Sequence, residues 1–595
     1  MRNAETVLAI VRERGKRGLP LDDVYRMLYN PDLYLRAYAR LYKNKGAMTK
    51  GTTDEIVDGM TRAKIEQLID DLRHERFHWT PVRRVYIPKK KGGRRPLELP
   101  SWKDKLLQEV IRSILEAYYE PQMSDHSHGF RPGRGCHTAL QEVQETWTGT
   151  HWFIEGDIAK FFDTMNHEVL LTILGEKLHD NRFLRLIRYL LQSGYLEEWK
   201  FNQTLSGCPQ GGVISPILSN IYLDRLDQYV EKILIPAYTR GEKRRRNPAY
   251  EALSGKAKWQ KQQGNKKEAR KLRKQYQKLP SLDPNDQAYR RLRYVRYADD
   301  TLFGFAGPRQ EAEEIKQQLG QFLRDTLKLE MSQEKTLLTH ASTEAARFLN
   351  YHIKSQQCDT KHTKKRRSTN GRICLLVPED VVQSKCSPYQ RAGKPIHRPL
   401  LMEDDDFTII ERYQQEYRGI VQYYLLAQNV STLWRLHWVA KVSLLLTLAG
   451  KHQTSSMAQV QKYRATVPGP DGTSYPCLEK QVAREGKKPL VARFGGIPLK
   501  RQTMVALVDQ NPIYERFERN ELIKRMLADK CELCGSREQV EVHHIRKLAD
   551  LEKKSRERPF WVKVMAARRR KTLVVCALCH QAIHAGKPTM RRVSE

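Results

Sequence analysis

Two adjacent carboxylates, Asp299 and Asp300, lie inside Arg293-Tyr294-Val295-Arg296-Tyr297-Ala298-Asp299-Asp300-Thr301-Leu302-Phe303-Gly304-Phe305. The apolar and β-branched flanks predict a β-hairpin with Asp-Asp at or beside its turn. Adjacent strand residues point to opposite faces, so both carboxylates reach one site only where the backbone turns. Two anions held that close repel unless a divalent cation neutralises them. Oxygen ligands of this kind suit Mg²⁺, which binds through one or two carboxylates plus substrate phosphates. A bare Asp-Asp pair is an ordinary solvated turn; the upstream context changes that. Trp152-Phe153-Ile154-Glu155-Gly156-Asp157 places a third carboxylate at the end of an apolar, strand-like run. Three carboxylates around two metals about 3.5–4 Å apart can run in-line phosphoryl transfer.

A second set of chemically capable residues lies near the C-terminus. Cys531-Glu532-Leu533-Cys534 and Cys576-Ala577-Leu578-Cys579 are two C-x-x-C knuckles. This is the spacing of a four-thiolate zinc site. Such a zinc is structural, because so short a segment lacks the core to fold unaided. Between and beyond the knuckles lie His543-His544 and His580-x-x-x-His584. Histidines at i and i+4 share one helical face, and with His543 they can form an open nitrogen-ligand site.

The elements that must position these groups are legible in part. Arg83 to Leu97 reads as a strand, a basic glycine turn and a second strand, able to fold over a triphosphate with Lys as point charge and Arg as fork. Gly207-Cys208-Pro209-Gln210-Gly211-Gly212 is a Gly/Pro-rich loop entering a helix that continues from Leu218 to Leu226, and its glycines admit a nucleotide close to the backbone. Ile56, Met60, Ile65, Leu68, Ile69 and Leu72 form an amphipathic helical pattern. Residues 236–290 form a basic helical insertion around Arg244-Arg245-Arg246. Residues 355–372 read as a loop or linker, and residues 405–460 as helices.

Composition narrows the class. The chain has 595 residues, with 105 Lys plus Arg against 69 acidic residues, a net charge of +36 and a pI near 9.7. That length implies several domains, and that charge a polyanionic partner bound with steep salt dependence. No apolar run approaches the roughly 18 residues of a membrane span, and the start lacks a signal peptide's apolar stretch. Ten cysteines in such an intracellular chain argue for thiols or metal ligands rather than a disulfide framework.

The ordered blocks Arg95-Pro96-Leu97, Gly129-Phe130-Arg131-Pro132, Asp157, Pro209-Gln210-Gly211, Tyr297-Ala298-Asp299-Asp300 and Phe348-Leu349-Asn350-Tyr351 resemble the reverse transcriptase of a group II intron, a protein family that also serves as maturases. The resemblance implies an α+β multidomain chain: a right-hand polymerase with fingers, palm and helical thumb, plus a small zinc-binding ββα-metal nuclease domain. It implies that Asp157, Asp299 and Asp300 bind Mg²⁺, that Phe162 gates against a ribose 2′-hydroxyl, and that Gln210 lines the incoming nucleotide. Lys89 and Arg95 would hold the triphosphate, and Lys335 would protonate the leaving pyrophosphate. Asn350 stands where the family usually has Gly, and Asn tolerates a left-handed backbone. Tyr417 to Tyr424 and Lys441 to Ala449 resemble the maturase, or X, domain that doubles as thumb, with function in exposed basic residues such as Lys441 and Lys451.

The tail resembles an HNH endonuclease. By that resemblance His543, His580 and His584 hold a catalytic metal, Mg²⁺ again, and His544 deprotonates the attacking water. The family's central Asn is missing near Lys571-Thr572-Leu573. The implied organisation is an N-terminal helical extension (1–80), fingers and palm (81–355), linker and X domain (356–485), a DNA-binding segment (486–525) carrying Arg493, Lys500 and Arg501, and the nuclease (526–595). The expected partners are group II intron RNA, target DNA and deoxynucleoside triphosphates. The expected location is bacterial cytoplasm and nucleoid, away from membranes. Two rival readings remain: a reverse transcriptase with no intron role, disfavoured by the X-like thumb and the tail, and a purely RNA-binding splicing factor, disfavoured by the intact aspartates.

Overall fold

The computed structural model describes residues 3–589 except 90–91, 199, 205, 284–285, 333, 359–361, 364–365, 368, 470–471, 485–486, 504–520, 547–550, 552–558 and 569. At its centre is a four-stranded antiparallel sheet. The strand Trp152–Gly156 lies between Leu338–His340 and Asp300–Ala306, and Arg291–Tyr297 forms the outer strand. Period-2 alternation drives its packing. Ile154, Tyr294 and Phe303 enter one core, shared with Ile315, Leu319 and Leu323 of the helix Arg309–Asp325. Their neighbours Phe153, Val295 and Leu302 enter a second core on the other face. Burying each large apolar side chain contributes about 1.5–3 kcal/mol, so both faces are strongly specified.

The fingers hairpin pairs Val82–Pro88 with Arg94–Leu99 in unbroken antiparallel register. The N-terminal extension contributes the helices Ala4–Lys16, Pro31–Leu41 and Arg62–Arg73. The helix predicted from Ile56 begins only at Arg62, because the Thr61 side chain caps it by accepting from the Lys64 N–H. Ile56 and Met60 precede it, and Met60 instead bridges the edge strand Val540–His544 in the tail. The basic insertion is a helical hairpin, Pro248–Gln262 and Lys266–Tyr276. Asn247 starts it, its side chain accepting from the Ala249 N–H, with Pro248 at the first helical position. Within the expected linker at 355–372 there is a two-residue antiparallel pairing, His362–Thr363 with Arg366–Arg367.

Residues 405–460 are helical as expected, in Asp406–Tyr423, Trp434–His452 and Ser456–Tyr463. A three-stranded sheet, Arg464–Pro468, Ser474–Arg484 and Lys487–Gly495, packs on them. Tyr417 is core, its ring 5.2 Å from His437 and 5.6 Å from Phe494. Lys451 is engaged within the fold, donating to the Asp404 carbonyl at 2.6 Å and to Asp406 at 3.0 Å. The hairpin of this sheet straddles position 486, and Arg493 pairs with Glu479 across it. Residues 504–520 of the expected DNA-binding segment lie outside the described residues. Among the described residues no helix is long and apolar enough to cross a membrane.

Candidate functional site

The hairpin turn forms where the sequence places it: Tyr297 pairs with Asp300, Ala298 takes a left-handed φ of +56°, and Asp299 occupies the turn. Gly156 pairs with Thr301, so one further step along the register brings Asp157 beside Asp300 at the same sheet end. Arg296 underpins the turn. Fully buried, it bonds Asp227 through Nε at 2.8 Å and Nη2 at 2.5 Å, and donates through Nη1 to Asn220 at 3.1 Å and to the Ala298 carbonyl at 2.9 Å. Gly129 abuts the same turn, where an added Cβ would lie 2.3 Å from the Ala298 nitrogen.

The electrostatics fit a cation. Desolvation, then the charges of Asp299 and Asp157, push the Asp300 carboxyl up to about 6, although its carboxylate faces the open cleft. Desolvation and Asp157 likewise raise Asp299, against the pull of Arg95 and Lys335. Lys335 Nζ lies 2.8 Å from Asp157 Oδ2, and that hydrogen bond raises its own pKa. A divalent ion would relieve the mutual repulsion.

The fingers close onto this end of the sheet through side chains. Arg95 Nε donates to Gln210 Oε1 at 3.2 Å, and Gln210 Nε2 donates to Asp163 Oδ1 at 3.2 Å. The backbone joins in: Glu98 N–H donates to the Gln210 carbonyl at 2.7 Å, and Cys208 N–H to the Phe162 carbonyl at 2.7 Å. Gly211, at φ +108°, allows this approach, since a Cβ there would lie 2.7 Å from Leu97. Phe162 is half-buried against Phe161, their ring centroids 5.3 Å apart. Lys89 stands exposed at the hairpin's far end. Asp163 and the Arg296–Asp227 pair escaped sequence reasoning, because neither carries a spacing signature. Asn350 does adopt the left-handed backbone, at φ +56°.

In the tail, the four cysteines converge. Sγ atoms of Cys531, Cys534, Cys576 and Cys579 lie within 4.8 Å of one another, and no disulfide joins them. The Cys534 N–H points at Cys531 Sγ at 3.4 Å. Burial raises the Cys531 thiol, but N–H groups of Cys534, Cys576 and Leu533 outweigh it and hold the thiol below its ordinary value. At Cys531 this favours the thiolate that a metal requires, whereas burial raises Cys534 and Cys579 in the metal-free set.

The histidines form a second set, with an unexpected member. His543, from the strand Val540–His544, and His580 and His584, from the helix Ala577–His584, converge with Asp58 of the N-terminal extension, ligand atoms again within 4.8 Å. Asp157, Asp299 and Asp300 do not form a third such set among the described residues. Glu541 Oε2 lies 2.5 Å from His580 Nδ1, leaving Nε2 toward the centre, as carboxylates orient metal-ligating histidines. Both ring nitrogens of buried His543 lack a hydrogen-bond partner, and a bound cation would remove that cost at the one nitrogen facing the cluster, Nδ1.

His544 is placed apart from the cluster. As the next strand residue it faces the other way, its Nε2 2.8 Å from the Tyr38 hydroxyl, and burial pushes its imidazole down to about 3. Thr572 pairs with His544 and Leu573 with His543, where the family's Asn would fall. His544 also borders a basic cleft of about 770 Å³ lined by Lys43, Arg525, Arg546, Arg570 and Lys571.

Comparison with known proteins matches this geometry. Residues 87–241 match the reverse transcriptase (RNA-dependent DNA polymerase) family, residues 377–495 the type II intron maturase family, and residues 531–580 the AI2M/AI1M-like HNH endonuclease family. The group II intron-encoded protein LtrA of Lactococcus lactis subsp. cremoris is 37% identical over 589 residues, covering 95% of this chain and 96% of that protein. The putative COX1/OXI3 intron 1 protein of Saccharomyces cerevisiae is 33% identical over 595 residues, covering 95% of this chain and 69% of that one. The Escherichia coli protein YkfC is 30% identical over 338 residues, covering 55% of this chain and 81% of YkfC. With an RNA-directed DNA polymerase and a DNA endonuclease joined by a maturase domain, the chain belongs to the group II intron-encoded reverse transcriptase–maturases.

Proposed function

We propose that this protein binds its own intron RNA, assists its splicing, and returns the intron to DNA by nicking a target strand and copying the RNA from the resulting 3′ end. The observation that carries the polymerase part is the meeting of Asp157 with Asp299-Asp300 at one sheet end, with Lys335 on Asp157. Mg²⁺ held by these carboxylates supplies charge neutralisation on the attacking and leaving oxygens. The chain's own residues do the rest. Arg95 and Gln210 sit where fingers meet palm and grip the nucleotide, Lys89 reaches its outer phosphates, and Phe162 crowds the ribose. Lys335, an ammonium 2.8 Å from Asp157 at this sheet end, would give a proton to the departing pyrophosphate.

Zn²⁺ in the four-cysteine set would pin the two knuckles beside the tail's own small core of Leu533, Val562, Met565, Leu573 and Val575. The His543–His580–His584 set holds the nuclease metal, and His544 serves as base in the cutting state. Intron RNA and target DNA are drawn by the +36 charge, with the segment 486–525 on the DNA. Asp299→Ala tests the division of labour. Primer extension on RNA is lost, while intron splicing persists, since that chemistry belongs to the RNA. Extension near the wild-type rate would remove the carboxylate assignment.

A further inference from the structure

We propose that Asp58 of the N-terminal extension is the fourth ligand of the His543–His580–His584 metal centre, and that it closes the position needed by a scissile phosphate. The inference rests on the nuclease reading above. Asp58 lies 486 positions before His544, and nothing in its local sequence announces a ligand. Yet its carboxylate is enclosed by the cluster. Oδ2 lies 2.8 Å from His584 Nε2, and Oδ1 lies 3.3 Å from His580 Nε2 and 3.4 Å from His543 Nδ1. Oδ1 also accepts from the His544 N–H at 2.7 Å. Its side chain is 9% exposed, against 57% for His584, so among these ligands the solvent reaches the centre most at His584. Burial raises this carboxyl, but His543 and His580 outweigh it and hold it well below the usual carboxylate range, so it is an anion.

The approach is built into the backbone. Gly59 N–H donates to the Val542 carbonyl at 3.0 Å, and Val542 N–H donates to the Met60 carbonyl at 3.1 Å. Residues 59–60 thus extend the edge of the very strand that ends in His543-His544. Gly59 takes a left-handed φ of +71°, so a side chain there is disfavoured, and its Cβ position would lie in contact with His580 Cε1 at 3.5 Å. Beneath this seam, Leu522, Ile523, Met526, Val540, Val542 and Val574 share one core with the N-terminal helices. The loop is seated, and Asp58 is aimed.

The chemistry follows from ligand count. For a tetrahedral ion such as Zn²⁺ or Co²⁺, which imidazole donors suit, three imidazoles and one carboxylate complete a four-coordinate shell, and closed shells mark structural sites, whereas catalytic sites keep one position free for water or substrate. In this arrangement Tyr38 also engages His544 Nε2. Both the metal's free position and the base are therefore occupied by the N-terminal extension. Swinging the Asp58 carboxylate aside frees the metal without undoing the core beneath it, so target DNA can open the metal by displacing one side chain, while His544 is released separately from Tyr38.

The test uses the full-length protein with Asp58→Asn and Asp58→Ala. Asn keeps an acceptor for the His544 N–H, so the loop retains its seat. Primer extension serves as a fold control. Co²⁺ titrated beyond the cysteine set should give wild-type protein a four-coordinate absorption band. Both variants should shift that band and weaken binding by at least about tenfold, since even outer-sphere partners of metal ligands change affinity about 10–100-fold. With Co²⁺ or Zn²⁺ in the centre, both should nick duplex DNA faster than wild type, with poorer discrimination for the target. An unchanged cobalt band and affinity overturn Asp58 as a ligand. A changed band with nicking abolished overturns the closure, making Asp58 part of the cutting machinery. If His580→Ala nicks as well as wild type, the nuclease reading itself fails, and the cobalt result still decides the ligand.

Discussion

Replacing Arg296 separates what holds the palm together from what aims its aspartates. The Arg296–Asp227 pair has no solvent exposure on either side chain. Arg296→Met leaves the Asp227 carboxylate buried without its cation, beside Asp224, whose carboxyl burial and Asp227 already push up to about 6. Breaking a buried pair from one side costs about 3–5 kcal/mol, a large share of the roughly 5–15 kcal/mol that holds a domain. Asp227→Asn in addition removes the stranded charge while keeping an acceptor for the Tyr294 hydroxyl, now 2.8 Å from Asp227. The double variant should therefore recover most of that stability. It does not restore the bond from Arg296 to the Ala298 carbonyl, one residue before Asp299. A displacement of about 1 Å at a reacting group costs up to ~10²-fold in rate, so primer extension should stay at least about tenfold down. Hydrogen exchange in the strands Arg291–Tyr297 and Asp300–Ala306 reads the first effect, and single-nucleotide addition reads the second. Wild-type extension by the double variant would refute the aiming role. Exchange unchanged in the single variant would refute the energetics.

Three other outcomes follow from the sites. Asp300 binds its proton more tightly folded than unfolded, so its contribution to stability falls as pH rises from about 3.9, its unfolded value, to about 6, and the full cost persists above that. Mg²⁺ and this proton compete, so Mn²⁺ binding at the palm, followed by electron paramagnetic resonance, should weaken by up to about tenfold per pH unit below 6; pH-independent binding between 5 and 7 would contradict it. Cys531→Ser should lose the tail's zinc by metal analysis and its resistance to limited proteolysis, while extension on a supplied primer continues; full retention of zinc would end the four-thiolate assignment. RNA affinity should fall linearly in log–log salt plots with a slope of about −0.7 to −0.9 per neutralised phosphate, and a flat response would remove the case for a polyanion.

What the sequence showed was whatever repeats a local rule. The turn at Tyr297–Asp300 was legible because apolar alternation fixes a hairpin's register and turn chemistry fixes its tip. The cysteine knuckles were legible because metal geometry demands their spacing. The helix pattern overran its start because Met60 obeys the right period for the wrong reason: it bridges Val542 in the tail, while the helix starts at Arg62. Lys451, read as an exposed contact, is spent inside the fold on Asp406. Asp58, Tyr38, Asp163 and Asp227 were invisible because their partners are brought to them by tertiary contacts, and a single sequence records no trace of that.

The same contacts tie the two active regions together. Met60, which bridges Val542 in the nuclease, accepts through its sulfur from Trp102 Nε1 at 3.3 Å. Trp102 opens the buried helix Trp102–Tyr119 and packs edge-on against Tyr38, the partner of His544. Further along that helix, Gln108 Oε1 accepts from the Val213 N–H at 2.9 Å, beside the loop that carries Gln210. One rigid helix therefore runs from the seat of the nuclease to the nucleotide grip. Interiors this densely packed transmit displacement rather than absorb it. A chain that must cut one strand and then copy onto a primed end would gain from such a strut, because the cutting centre and the polymerising centre would keep a fixed spacing while the proposed Asp58 switch operates.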